Sequence, residues 1–159
     1  MVAETESLEG PVTFISVYGV FERFLNTIWS IPNMHRIVSD LTPVLADPKR
    51  KGRIVLGGDM NVDVAFDTDP RGVPGSHSLL LDRLEAFGLK SVLPNRDPEH
   101  STPTWRRGRS GFQNDHLFVS KELSHSTPEV VWDPQGFSDY AVIVVDIDLP
   151  FSDKGRKTA

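Results

Sequence analysis

The chain has 159 residues, the length of one ordinary domain, and 38% of them are hydrophobic, enough for a single core. It has no cysteine, which excludes a disulfide framework, a cysteine-based zinc site and a thiol nucleophile. The formal charge of −5 excludes a global pull onto nucleic acid, and no stretch reaches the ~18 apolar residues of a membrane span.

Met1 to Gly10 is acidic and lacks the basic-then-apolar layout of a signal peptide, so a cytoplasmic location is expected. Val12 to Tyr18 is rich in β-branched and aromatic residues and predicts a strand. From about Trp29 to Leu45, Ile37, Leu41, Val44 and Leu45 recur with helical spacing, and Pro43 weakens the last turns. Lys49-Arg50-Lys51 reads as a solvated connection.

Arg53 to Gly58 predicts a buried strand that stops at two glycines and delivers Asp59 and Asn61 to the sheet edge. Asp63 to Ser76 is a Pro/Gly-rich loop. Ser78 to Phe87 predicts a helix with Leu80, Leu81, Leu84 and Phe87 on one face and Gly88 closing it. Leu89 to Leu93 is a short strand candidate, and Pro94 to Pro103 a loop. Asp115 to Ser120, Glu129 to Trp132 and Ala141 to Leu149 predict three more strands, followed by a polar tail. Strands mixed with helices indicate an α/β fold. The expected divisions are an acidic segment over 1–10, a domain over 11–149 and a tail over 150–159.

Polar residues cluster at the ends of these elements. Thr102-Pro103-Thr104-Trp105-Arg106 puts hydroxyls, an indole and a cation on one expected loop. Trp105 is suited either to stacking on a sugar or base or to packing at the domain edge, and Arg106 to holding a phosphate. Arg107 and Arg109 add positive charge beside them. Asp115 opens a strand, where a carboxylate can orient an imidazole or hold a cation. His116 then points to the opposite face and is expected to be structural. Ser138-Asp139-Tyr140 precedes the last strand. His35, His77, His100 and His125 fall in no site pattern and read as surface histidines.

Gly57-Gly58-Asp59-Met60-Asn61 resembles the Gly-Asp-x-Asn motif of the endonuclease/exonuclease/phosphatase superfamily. Asp115 to Ser120 resembles that family's Asp-aromatic-aliphatic strand, Ser138-Asp139-Tyr140 its Ser-Asp-His, and Ile15 to Gly19 the strand bearing its phosphate-facing tyrosine. The four matches run in the family's order. The resemblance implies a DNase I-like α/β sandwich and hydrolysis of a phosphodiester, including nucleic acid, with Mg²⁺ or Mn²⁺. It implies that Asp59 positions or deprotonates the attacking water and that Asn61 binds this water or a phosphate oxygen. It implies metal ligation by Asp139 and Asp59, orientation of the catalytic imidazole by Asp115, and substrate contact by Tyr18, Trp105 and Arg106.

Two departures accompany the resemblance. Tyr140 replaces the family's histidine, and a phenol with pKa near 10 is a poor base at neutral pH, although it can donate a hydrogen bond. The family's N-terminal half, with its asparagine and metal-binding glutamate, has no counterpart here; only Glu4, Glu6 and Glu9 precede the first expected strand. The implied fold is therefore truncated, with its N-terminal half missing. The expected function is a phosphoester hydrolase of reduced or lost activity. The alternative is a non-catalytic phosphate- or nucleic-acid-binding module or a defunct half-domain. The implied partner is the missing half, or a second copy through self-association of exposed apolar sheet.

Overall fold

The computed structural model describes residues 1–8, 10–23 and 27–149. A central sheet is built from β1 (Val2–Thr5), β2 (Val12–Ser16), β3 (Ile54–Asp59), β4 (Leu89–Ser91) and β7 (Asp115–Ser120), in the order β1-β2-β3-β7-β4. β2 and β3 run parallel, and the other neighbours are antiparallel. Two small ribbons complete the chain: β5 (Trp105–Arg107) with β6 (Ser110–Phe112), and β8 (Glu129–Trp132) with β9 (Ala141–Val144).

Strand alternation divides the apolar residues between two faces. Ile15, Ile54, Leu56, Leu89 and Phe118 join α1 (Pro32–Leu45) and α2 (Ser76–Ala86), which contribute Met34, Val38, Leu80, Leu81 and Leu84. On the other face Val12, Val55 and Val119 pack with Val130 of β8 and Ile143 of β9. The expected α/β sandwich is thus present, with helices on one face and a small second sheet on the other.

Proline stands at the start of α1, where a missing N–H costs nothing. Pro43 does not end this helix. It forfeits one backbone bond, yet buried Val38 and Leu45 hold the last turns in place, and the Ala46 N–H closes onto Thr42 O at 2.9 Å. For α2, Gly75 supplies no side-chain cap. Asp67, from a 3-10 turn over Val64–Asp67, instead accepts the N–H groups of His77 and Ser78 at 2.8 and 2.9 Å.

Three expectations are corrected. Residues 2–5 form an edge strand that carries Glu4. Its carboxylate meets Arg50, far along the sheet from Asp59, so it belongs to no shared cluster with that residue. Trp105 and Arg106 lie on a β-hairpin rather than a loop. His77 is fully buried rather than superficial: its Nδ1 accepts the Asp63 N–H at 3.3 Å, and its Nε2 lies 3.1 Å from Trp29 O. Glu9 and the tail 150–159 lie outside the described residues.

Candidate active site

The exit of β3 is shaped by glycine. Gly58 has φ +140°, and a Cβ there would fall 2.0 Å from Val17 O. Only glycine allows the continuation of β2 to lie this close, and this approach sets Tyr18 beside the strand end. The Val17 N–H donates to Gly57 O at 3.0 Å, and the Gly19 N–H to Asp59 O at 2.8 Å. Asn61 then takes φ 53°, held by its N–H to Asp59 Oδ1 at 3.1 Å and its Nδ2 to Gly19 O at 3.0 Å. Short polar side chains tolerate this conformation best among non-glycine residues.

Asp59 and Asp115 are direct partners in the antiparallel β3–β7 register. Burial and then the Asp115 charge push the Asp59 carboxyl up to about 6, against the N–H it accepts from Asn61. Burial also raises Asp115. Asp115 Oδ2 is buried with no partner. Tyr140 is raised by burial and then by the charges of Asp59, Asp115 and Asp139, so its phenol stays protonated and keeps its proton to donate.

β9 reaches this rim through a short cross-link. Ala141 N–H donates to Thr104 O at 2.7 Å, Arg106 N–H donates to Asp139 O at 2.9 Å, and Trp105 forms a bridge with Tyr140. The Trp105 indole N–H donates to Asp139 Oδ2 at 3.0 Å, while its ring stacks on Phe112 with centroids 6.0 Å apart.

Strands β3, β7 and β9, with the continuation of β2, therefore gather Asp59, Asn61, Asp115, Asp139, Tyr140, Tyr18 and Trp105. Tyr18 is open to solvent, at 65% exposure. Arg106 is separated from the group. It follows Trp105 on a strand, so it points to the opposite face, where its guanidinium lies 4.4 Å from the Trp132 ring centroid. The Tyr140 phenol lies near enough to Asp59, Asp115 and Asp139 to feel all three carboxylates. His116 is buried, its Nε2 2.7 Å from Val62 O, as its place on the strand predicts.

Two contributors carry no expectation from the sequence. Asn114 O accepts the N–H groups of Met60 and Asn61 at 2.9 and 3.2 Å and fixes the turn after Asp59. Thr104, with no exposed surface, accepts the Asp115 N–H on Oγ1 at 2.9 Å. The only sequence signal for Thr104 is its adjacency to Trp105.

No protein-family model and no curated protein matches the chain. Solved structures do. The endonuclease domain of TRAS1, a telomere-specific non-LTR retrotransposon, superposes with TM-score 0.63 at 16% identity, over 95% of this chain and 61% of that one. A 3′-5′ exonuclease from Neisseria meningitidis gives TM-score 0.61 at 22% identity, over 88% of this chain and 62% of that one. A 3′ phosphatase from Neisseria bound to a product DNA hairpin gives 0.65 at 22% identity, over 94% and 65%. The chain thus spans less than two thirds of the length of these neighbours. Its backbone has the DNase I-like α/β fold.

Proposed function

We propose that this rim is the active site of a divalent-metal-dependent phosphoester hydrolase acting on a phosphodiester such as nucleic acid. The observation that carries the reading is the facing Asp59–Asp115 pair, with the Tyr140 phenol within reach of both charges. Two facing carboxylates repel, and their like charge is the environment a cation relieves. The fold shared with the nucleic-acid-processing neighbours supports the same reading.

Mg²⁺ or Mn²⁺ fits the donors. Asp59 and Asp139 offer hard carboxylate oxygens, and the unpartnered Asp115 Oδ2 lies beside Asp59. Among the described residues no group of three His, Asp or Glu could hold an ion, so water and substrate would complete the shell, as Mg²⁺ commonly requires. When bound, the ion stabilises charge on the phosphoryl oxygens. Asp59, ionised, accepts a proton from the attacking water. Asn61, whose Nδ2 is committed to Gly19 O, keeps Oδ1 to orient that water. Tyr140 and Tyr18 donate to phosphate oxygens, and Trp105 forms the side wall. Arg106 serves as a flanking cation for a longer substrate.

Hydrolysis of bis(p-nitrophenyl) phosphate and of a labelled DNA hairpin, with Mg²⁺, Mn²⁺ or EDTA, tests this reading. The metal-supported rate should fall about 10² to 10⁴-fold in Asp59→Ala. Equal rates in the two proteins would remove the assignment. A second reading, a phosphate-binding module without turnover, is favoured by one observation: Tyr140 cannot act as a base. That reading expects DNA binding with no metal-supported rate. The exposed valines of β9, Val142 at 63% and Val144 at 46%, support a further proposal, that an N-terminal half covers this face. Sedimentation of the chain checks it, since an uncovered face should promote self-association.

A further inference from the structure

We propose that Thr104 is the positioning residue that fixes the distance between the two parts of the site: Asp59 and Asp115 on the central sheet, and Asp139 and Tyr140 at the head of β9. The inference rests on the hydrolase reading for its kinetic consequence but not for its geometry. Thr104 is fully buried and is bonded to both parts at once. Its Oγ1 accepts the Asp115 N–H at 2.9 Å, and its carbonyl accepts the Ala141 N–H at 2.7 Å. Its own N–H donates to Phe112 O at 3.0 Å, which anchors it in the hairpin. The next residue, Trp105, holds the Asp139 carboxylate through its indole N–H at 3.0 Å.

β9 pairs with β8, and β8 and β9 form a sheet separate from the one containing β3 and β7. Side chains meeting between two sheets are normally registered only by apolar packing, which tolerates sliding. Here a hydroxyl with one geometry of acceptance ties the start of β7 to the segment that holds β9. Removing the hydroxyl leaves the Asp115 N–H without its partner, frees the carboxylate pair to shift, and loosens Asp139 against Trp105. Small misplacements at a reacting centre lower turnover far more than binding.

The test compares the chain with Thr104→Val, which keeps the shape and loses the hydroxyl, and with Thr104→Ser, which keeps the hydroxyl. Two quantities are read: solvent exchange of the Trp105 indole N–H by NMR, and kcat and KM for bis(p-nitrophenyl) phosphate with Mn²⁺. Thr104→Val should speed indole exchange at least about tenfold and lower kcat by about the same factor with KM nearly unchanged, and Thr104→Ser should restore both. If Thr104→Val does not fold, Thr104→Cys, a weaker acceptor of similar size, takes its place and should show faster indole exchange and lower kcat than the parent chain and Thr104→Ser. Unchanged indole exchange in the folded variant overturns the proposal, as does a defect that Thr104→Ser fails to repair. A parent chain without hydrolysis overturns the hydrolase reading alone, because the indole exchange still decides the role of Thr104.

Discussion

Asp59 and Asp115 face each other across two neighbouring antiparallel strands. Like charges opposite one another weaken a sheet. The fold tolerates them because β3 and β7 are anchored elsewhere by Leu56, Phe118 and Val119, all essentially buried.

This pair makes stability depend on pH in an unusual direction. The Asp59 carboxyl moves from 3.8 to about 6 on folding, so the native state holds a proton that the unfolded chain has released. Its contribution is complete below pH 3.8 and is lost as pH rises through about 6. In metal-free protein, the melting temperature of the parent minus that of Asp59→Asn should therefore fall across this window and level off above it. A flat difference curve would contradict the shift.

Gly58→Ala places a methyl group 2.0 Å from Val17 O at a φ that L-residues rarely adopt. Relief requires β2 and β3 to separate, at a cost of about 3 kcal/mol or more. Urea denaturation should show that loss. Gly88→Ala, with open space around its Cβ but also a positive φ, should cost only about 1 kcal/mol.

Tyr140 separates turnover from binding. Tyr140→Phe removes the hydroxyl proposed to donate to a phosphate oxygen and should lower the rate about tenfold or more. Tyr140→His introduces a group that exchanges protons near neutrality and should raise it about tenfold or more if the remaining groups are correctly placed. Initial rates with Mn²⁺ for the three proteins check the order.

His77→Leu leaves the Asp63 N–H and Trp29 O without partners in a dry site and should cost about 2–3 kcal/mol. Burial lowers both His77 and His116, so protons taken up by the unfolded chain pull it apart as pH falls below 6.5. Part of that acid sensitivity should vanish in His77→Leu, measured as thermal melts between pH 5 and 7 relative to the parent.

Several elements are legible in the sequence because their signals are local. Ile54 to Leu56 followed by two glycines announces β3, and the leucines of α2 announce a helix face. Asp59, Asp115 and Tyr140 are readable as candidates because each sits at the end of an apolar run. What is not legible is held by distant partners. β1 has no apolar pattern and exists through its ladder with β2 and the Glu4–Arg50 ion pair, 46 positions apart. The β5–β6 hairpin, rich in arginine and glycine, is held by the cross-strand pair of Trp105 and Phe112. His77 sits between two serines, and nothing in that neighbourhood tells that its ring faces inward. Thr104 and Asn114 act through bonds to segments far along the chain.

The cross-link through Thr104 and Trp105 sets a rule for how this chain can change. Adding one residue to either arm of the β5–β6 ribbon would exchange the two faces, turning the indole away from Asp139 and presenting an arginine in its place. The tip at Gly108 and Arg109 lies beyond that constraint. Length and charge can drift there without disturbing the carboxylates, while the base of the ribbon stays fixed.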